Sequence, residues 1–234
     1  MINNIILLIK ASIFWLVFIF FTISLTLPLI FLRIFGYKPA FLVAKLWAFI
    51  VIKTLQYICG IKYKIYGDLN IEGTFIFSKH QSTWETIFFL LVIPNPIFIV
   101  KRELMYIPFF GWCLYLLKNI SIDRASGRSA IKKMILETQK SLEKGFSVIL
   151  FPEGTRIMSG EKTKIKQGGI VIAKSLKIPI IPITHNAGEF WPKHSFIKYP
   201  GTIKILFGKP ISIDKKTSEE FKIEIEKWMD QKIS

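Results

Sequence analysis

Residues 74–85 of this chain read TFIFSKHQSTWE and carry the pattern that decides the fold. The run at 74–78 is short and apolar, follows a glycine, and predicts a buried strand. A longer apolar stretch follows it and predicts a helix over 83–92. His80 lies between the two, where a side chain of an α/β fold commonly faces a ligand cleft. This stretch therefore predicts an α/β domain with a candidate site residue at the end of a strand.

The same alternation of strand and helix extends in both directions from this stretch. Further strands are predicted at 63–66, 97–101, 146–151, 178–184 and 202–207, and further helices at 108–117, 127–144, 169–177 and 218–229. Such alternation indicates an α/β fold with a mixed, largely parallel sheet flanked by helices. We expect residues 61–234 to form this domain and residues 1–60 to form a separate N-terminal region.

The N-terminal region is apolar enough to interact with a membrane. Residues 11–32 carry no formal charge, and as a helix they would extend roughly 33 Å, against a hydrocarbon core of about 30 Å. Pro28 is expected to kink or end this helix, so spanning the bilayer and lying in one leaflet both stay open. A second apolar stretch at 41–58 contains Lys45 and Lys53 and is more typical of a helix at the membrane interface. Basic residues after the first segment favour a cytoplasmic position for the downstream domain, as on a bacterial inner membrane.

The composition limits the classes of protein to which this chain can belong. Its 234 residues include 32 Lys and Arg against 16 Asp and Glu, a net charge of +16 with a pI near 9.8. Hydrophobic residues make up 51%, which excludes a disordered basic tail and fits poorly with a soluble nucleic-acid-binding module. Positive charge together with apolar surface favours an anionic membrane as partner, and a general solubility charge is the alternative.

His80 and Glu85 are the candidate catalytic residues. Imidazole is the side chain best matched to proton transfer near neutral pH, and a carboxylate can orient it and stabilise its charged form. Five steps do not return to the same helical face, but a histidine outside the helix can fold onto a glutamate in its first turn. Ser82 and Glu85 also form a capping-box pattern with Ser82 as N-cap, and this alternative explains Glu85 without catalysis.

Two loops contain candidates for binding an anionic group. Residues 151–156, FPEGTR, follow a predicted strand and place a glutamate, a glycine, a threonine and an arginine in one turn. Residues 162–169, KTKIKQGG, precede a helix, where backbone amides near Gly168 with Lys166 beside them can hold a phosphate. Each loop has a simpler alternative, an ordinary turn with a surface ion pair in the first case and a solvated basic loop in the second.

Arginine is rare in this chain, with 5 residues against 27 lysines. A guanidinium retained against that bias indicates a two-pronged geometry that an ammonium cannot supply, so Arg124 and Arg156 are the phosphate candidates. His185 and His194 have no partner at metal-ligand spacing, and no metal site is predicted.

Four blocks of this sequence together resemble the 1-acyl-sn-glycerol-3-phosphate acyltransferase family, also called the lysophosphatidic acid acyltransferases. His80-x4-Glu85 is similar to the family's His-x4-Asp block, with Glu85 where the family usually has aspartate. The segments 101–104 (KREL) with 108–111 (PFFG), 151–156 (FPEGTR) and 180–183 (IIPI) are similar to the other three blocks, in the same order. The resemblance covers about residues 75–190.

The resemblance implies a fold, a reaction and a set of site residues. The implied fold is a mixed αβ domain preceded by helices that dock on the membrane. In the implied reaction His80, oriented by Glu85, is the general base for a lysolipid hydroxyl that attacks the thioester of acyl-carrier protein or acyl-coenzyme A, without a resident cofactor. The product is phosphatidic acid, an intermediate of phospholipid biosynthesis. The implied head-group residues are Glu153, Gly154, Thr155, Arg156, Arg124 and Lys101, to which the second loop adds Lys166 and Gly168.

Other functions stay open at this point. An acyltransferase of the same family acting on another lysolipid would carry the same blocks. A non-catalytic, basic lipid-binding membrane protein would share the apolar segments and the positive charge. A nucleic-acid binder leaves the apolar segment at 11–32 unexplained, so we expect no nucleic-acid partner.

Overall fold

The structure is a computed structural model that describes residues 2–69 and 71–233. Long helices come first, α1 (Ile2–Arg33) and α2 (Tyr37–Tyr57), and an α/β region follows them. The strands are β1 (Ile61–Tyr66), β2 (Phe75–Ser78), β3 (Pro96–Lys101), β4 (Ile120–Ile122), β5 (Ser147–Leu150), β6 (Ile180–His185) and β7 (Gly201–Phe207). The remaining helices are α3 (Trp84–Val92), α4 (Phe110–Leu116), α5 (Gly127–Glu143), α6 (Gln167–Leu176), α7 (Ala187–Phe190) and α8 (Ser218–Met229). Short 3-10 helices at Arg102–Tyr106 and Arg124–Ser126 precede α4 and α5.

The strands of the described residues form one seven-stranded sheet in the order β1-β7-β6-β2-β5-β3-β4. Neighbouring strands are parallel, except that β6 and β7 are antiparallel. The prediction of a mixed, largely parallel sheet flanked by helices is therefore confirmed. Strands β2 to β6 all run in one direction, so their carboxyl ends meet at a single edge.

The centre of the sheet is made by the strands with the most continuous apolar sequence. All residues of β2 and β6 are buried, as expected for parallel strands that helices cover on both faces. β4 was not predicted, because its three residues are too few to give a periodic signal. It is a strand only because it pairs with β3 at the edge of the sheet.

α1 and α2 are joined by a short turn and pack against the sheet region. Pro28 lies inside α1, and of the two expected outcomes, a kink or an end, the end does not occur. A proline removes only one helical hydrogen bond, and the apolar turns on both sides continue. Both helices are long and apolar enough to cross a membrane, by length and composition alone. Phe14 of α1 and Leu55 of α2 are fully buried in the same core cluster as Ile76 of β2. The division of the chain near residue 60 stays a prediction.

Candidate active site

The carboxyl edge of the sheet brings together the segments that the sequence analysis singled out. β2 ends at Ser78 and leads into His80, after which α3 begins at Trp84. β5 ends at Leu150 and leads into the loop 151–157. Because β2 and β5 are paired neighbours, with Phe77 opposite Leu150, His80 and this loop lie side by side.

His80 and Glu85 form a hydrogen-bonded pair at this edge. Nδ1 of His80 lies 2.8 Å from Oε1 of Glu85. Since a carboxylate only accepts, Nδ1 carries the hydrogen and Nε2 keeps its lone pair. The imidazole stacks on the ring of Phe151, with 3.9 Å between centroids and 17° between planes. Its side chain is 17% exposed, so the ring is held in place while one part of it still reaches solvent. This geometry suits a general base.

The capping alternative and the catalytic interpretation of Glu85 use the same oxygen. Oε1 also accepts hydrogen bonds from the backbone N–H groups of Gln81 and Ser82, at 3.0 and 2.9 Å. The N-cap of α3 is Thr83, one residue later than the capping-box pattern predicts, and its side chain makes no cap hydrogen bond. Instead, Oγ of Ser82 accepts from the backbone N–H of Trp84 at 3.2 Å. Glu85 thus fixes the start of the helix and orients the imidazole together.

His185, at the end of β6, packs behind this pair. Its Nδ1 accepts a hydrogen bond from the backbone N–H of Ala187, so Nε2 carries the hydrogen and donates to the carbonyl of Lys79 at 2.9 Å. Nε2 also lies 3.9 Å from Oε2 of Glu85, and both side chains are fully buried. Burial lowers the pKa of His185, which agrees with a neutral ring. For Glu85, burial alone would raise the pKa, but His185, His80 and the amide of Ser82 hold it below its usual value.

Glu153 supports the backbone of His80. Its Oε1 accepts a hydrogen bond from the N–H of His80 at 3.2 Å, and the N–H of Ile157 donates to the carbonyl of His80 at 2.8 Å. The backbone N–H and the backbone carbonyl of His80 are therefore both held by the loop. The Glu153 side chain is buried, Oε2 has no hydrogen-bond partner among the described residues, and burial raises the pKa to about 7.

Two of the predicted cationic residues, Arg124 and Lys166, contact the loop at Gly154. Arg124 donates from its guanidinium to the carbonyl of Gly154, and the side chain of Lys166 lies against the α-carbon of the same glycine. Gly154 has φ of 74°, and an added Cβ would lie 3.0 Å from Nζ of Lys166, so glycine suits both the turn and the close approach. Two positive charges are thereby gathered beside the His80 loop.

The other predicted residues lie nearby with fewer contacts. Thr155 is exposed and Arg156 is half-buried, both in the same loop. Lys101 is exposed at the end of β3, on the carboxyl edge. Gly168 lies in the first turn of α6 and faces Met134 of α5 rather than the loop. The structure therefore gathers His80, Glu85, Glu153, Gly154, Arg124 and Lys166 through direct contacts, and leaves Lys101, Thr155, Arg156 and Gly168 at the margin.

The residues that hold the second loop in place were not predicted from the sequence. Asp230, just beyond α8, accepts hydrogen bonds from the N–H and hydroxyl of Thr163 and pairs with Nζ of Lys79 at 3.0 Å. Glu226 of α8 accepts from the N–H of Ile165 at 2.7 Å. Because these contacts join segments that are far apart in sequence, no local pattern could have indicated them.

Comparisons with known proteins identify the family to which the α/β region is similar. The family model described as acyltransferase matches residues 62–186. A 1-acyl-sn-glycerol-3-phosphate acyltransferase from Pseudomonas aeruginosa is 46% identical over 165 residues, covering 69% of this chain and 64% of that protein. One from Limnanthes douglasii is 32% identical over 164 residues, covering 68% and 57%. The match thus spans less than two thirds of the length of these relatives.

A solved structure is similar over almost the whole chain. The crystal structure of the 1-acyl-sn-glycerophosphate (LPA) acyltransferase from Thermotoga maritima superposes with a TM-score of 0.75 at 21% identity, covering 97% of this chain and 94% of that one. At this identity the similarity establishes the fold, including the helices that precede the sheet.

Proposed function

The chain belongs to the acyltransferase family that includes the 1-acyl-sn-glycerol-3-phosphate acyltransferases, and from this premise we propose that it acylates 1-acyl-sn-glycerol-3-phosphate. The acyl group comes from a thioester, and the product is phosphatidic acid. The observation that carries the proposal is the His80–Glu85 pair at the carboxyl edge of the sheet, in which Nε2 of the imidazole has no hydrogen-bond partner among the described residues.

The proposed reaction is a direct transfer with His80 as general base. Nε2 takes the proton from the free hydroxyl of the lysolipid while that oxygen attacks the thioester carbonyl. The C–O bond forms, the C–S bond breaks, and the imidazolium returns the proton to the departing thiolate. Glu85 stabilises the imidazolium that exists between these steps, and its hydrogen bond keeps the imidazole in the required tautomer.

The phosphate of the lysolipid is assigned to the cationic residues around Gly154. Arg124 and Lys166 contact this glycine, and Arg156 follows it by two positions in the loop. A guanidinium offers several donors in a fixed plane, so Arg124 can bond the Gly154 carbonyl and still offer N–H groups to an anion. Thr155, Gly168 and Lys101 are placed at the periphery of this group, where they would contact the glycerol or the outer phosphate oxygens.

The remaining parts of the proposal concern the membrane and the acyl donor. Residues 1–60 hold the protein on an anionic membrane through the exposed apolar face of α1, with residues 61–234 as the catalytic domain on the cytoplasmic side of a bacterial inner membrane. The donor is acyl-carrier protein or acyl-coenzyme A, and the excess of positive charge suits both, because both are acidic.

Product formation tests the proposal directly. Purified protein in mixed micelles is given lysophosphatidic acid and a labelled acyl thioester of each type, and the labelled diacyl product is separated and counted. His80→Ala should lose nearly all turnover while keeping its circular dichroism spectrum. His194→Asn is the matched control, because His194 is exposed, has φ of 61° and takes no part in the site, and asparagine tolerates that conformation.

The same assay separates the proposal from its alternatives. Product from a different lysolipid, with none from lysophosphatidic acid, would assign the chain to another acceptor within the family. Absence of product with every lysolipid and both donors, while the protein still binds vesicles, would favour a lipid-binding protein without catalysis.

A further inference from the structure

An exposed aromatic patch lies between the catalytic edge and α1. Tyr106 is the last residue of the 3-10 helix, Ile107 follows it, and Trp112 and Tyr115 lie on α4. Their exposed fractions are 72%, 44%, 47% and 75%. Trp112 and Tyr115 are three residues apart and so share one face of the helix. We call these four residues the aromatic lip. Large apolar side chains that cluster on a surface are typical of a site that contacts a membrane, another protein or a ligand.

The lip is rigid, because the 3-10 helix crosses α4 at Gly111. A Cβ at this position would overlap the backbone carbonyl of Met105, so only glycine permits the crossing. The N–H of Gly111 donates to the carbonyl of Ile107 at 2.7 Å, and the ring of Phe109 contacts Trp112 with 5.1 Å between centroids. The backbone that carries the four exposed side chains is therefore fixed by close packing.

The lip is continuous with the apolar face of α1. Arg33 donates from Nε to the carbonyl of Leu116 at 2.9 Å, and Thr26 contacts Sγ of Cys113 at 3.5 Å. These contacts fix α4 against the second half of α1, where Leu27 and Phe31 are 68% and 59% exposed. The exposed apolar surface of the anchor thus extends onto the catalytic domain.

Basic residues flank the lip in the sequence and indicate the kind of partner it fits. Lys101 and Arg102 precede it, Lys118 follows it, and all three are exposed. Tyrosine and tryptophan at the level of lipid headgroups, with lysine and arginine beside them, are typical of proteins at an anionic bilayer. An acidic carrier protein would suit the charges, but it would not account for an apolar centre that continues onto α1.

We propose that the aromatic lip is a third membrane-contacting element, which enters the headgroup layer of an anionic bilayer beside α1 and guides the lysolipid to the site. The route is short, because the 3-10 helix starts at the end of β3 on the catalytic edge. Arg102 pairs with Asp123 at 3.1 Å, and the neighbouring Arg124 bonds Gly154. The guiding role rests on the proposed function, whereas the membrane contact does not.

Site-specific labelling tests the membrane contact without reference to activity. Cys59→Ala and Cys113→Ser give a background without native thiols, and the serine keeps a polar partner for Thr26. Single cysteines at Tyr106 or Tyr115 are labelled with an environment-sensitive fluorophore. Single cysteines in place of Phe20 on α1 and Ile223 on α8 are the controls, because these positions are 62% and 54% exposed. The label at Phe20 is expected inside the bilayer and the label at Ile223 outside it. The protein is reconstituted in vesicles of phosphatidylglycerol and phosphatidylethanolamine that contain a quencher at the boundary between the headgroups and the acyl chains.

The expected result is quenching at Tyr106 and Tyr115 that approaches that at Phe20, with none at Ile223. Labels at the lip that stay in water while Phe20 is quenched would overturn the proposal. A change in the fluorescence of the lip labels that appears only when acyl-carrier protein is added would also overturn the proposal. It would make the lip a protein-docking surface.

Kinetics test the guiding role separately. The double variant Tyr106→Ser, Tyr115→Ser should raise the KM for lysolipid presented in vesicles by about tenfold and leave the KM for a short-chain, water-soluble lysolipid unchanged. An equal rise for both substrates would refute guidance from the bilayer. If the wild type forms no product while the labels at the lip are quenched, the proposed function fails and the membrane contact stands.

Discussion

Replacing Glu85 by glutamine separates the charge of this side chain from its size. In the wild type, Oε1 accepts hydrogen bonds from Nδ1 of His80 and from the backbone N–H groups of Gln81 and Ser82, at 2.8, 3.0 and 2.9 Å. A glutamine oxygen can keep these bonds only if its NH2 group takes the place of Oε2. That group would then face Nε2 of His185, which is itself a donor.

The expected loss of rate follows from the charge that forms on His80 during proton transfer. In the wild type the imidazolium lies beside a carboxylate, and in the variant it lies beside a neutral amide. A hydrogen bond to a charged group stabilises by about 1.5–3 kcal/mol, which is about 10- to 150-fold in rate at about 1.4 kcal/mol per tenfold. General-base assistance as a whole is worth about 10²–10⁴-fold. We expect kcat of Glu85→Gln to fall by about 100-fold, with KM changed by less than about threefold, because Glu85 lies behind the base.

The assay is the initial rate of labelled product at saturating acyl thioester, with circular dichroism and thermal unfolding to establish that the variant folds. Glu143→Gln is the matched control, because Glu143 is an exposed carboxylate on α5 that contacts Gln139. The control should retain its rate. A folded Glu85→Gln variant with more than about half of the wild-type kcat would refute the reasoning and reduce Glu85 to a helix cap.

Three further predictions concern single side chains. Burial raises the pKa of Glu153 to about 7, so between pH 4.5 and 7 the folded state binds a proton that the unfolded chain releases. The free energy of unfolding should therefore fall as the pH rises through this range, by up to roughly 3 kcal/mol. Glu153→Gln should remove this slope in urea unfolding followed at pH 5 and 7.5. Arg156→Lys should raise the KM for lysophosphatidic acid about tenfold with kcat nearly unchanged, because an ammonium cannot bind phosphate in two-pronged fashion; unchanged KM would exclude a phosphate contact. Burial lowers the pKa of Lys198 to about 7, so stability should rise between pH 7 and 10.5 in the wild type, whereas Lys198→Met should show no such rise in thermal unfolding.

Much of the fold could be predicted because its signals are local. The central strands are short apolar runs that end in glycine, proline or polar residues, and the predicted runs at 74–78 and 146–151 contain β2 and β5. The His80–Glu85 pair was predictable for the same reason, since the strand, the polar step and the helix follow one another within twelve residues. Where the signal was short, as in β4, the prediction failed.

Contacts between distant segments could not be predicted. Lys198 is buried among the rings of Phe14, Trp15, Trp191 and Phe196, with Nζ 3.9–5.7 Å from their centroids, and it donates to the carbonyl of Phe196. This arrangement attaches α1 to the α/β region. In the sequence it is only one lysine among 27, because the spacing of aromatic residues along α1 does not indicate which of them will contact a lysine side chain.

Glu85 is the position at which this chain departs from the usual aspartate of the block it resembles, and the structure supplies a physical reason. The longer side chain lets Oε1 reach His80 and two backbone amides, while Oε2 occupies a fully buried space 3.9 Å from His185. A buried oxygen without a hydrogen-bond partner costs about 1–3 kcal/mol, and the N–H of a neutral His185 reduces that cost by directing a positive dipole toward it. An aspartate side chain is one methylene shorter, so its carboxylate would lose either the contacts with His80 and the backbone amides or the position beside His185. The glutamate and the second imidazole, a hundred positions apart in sequence, are thus two parts of one buried arrangement behind His80, the proposed base.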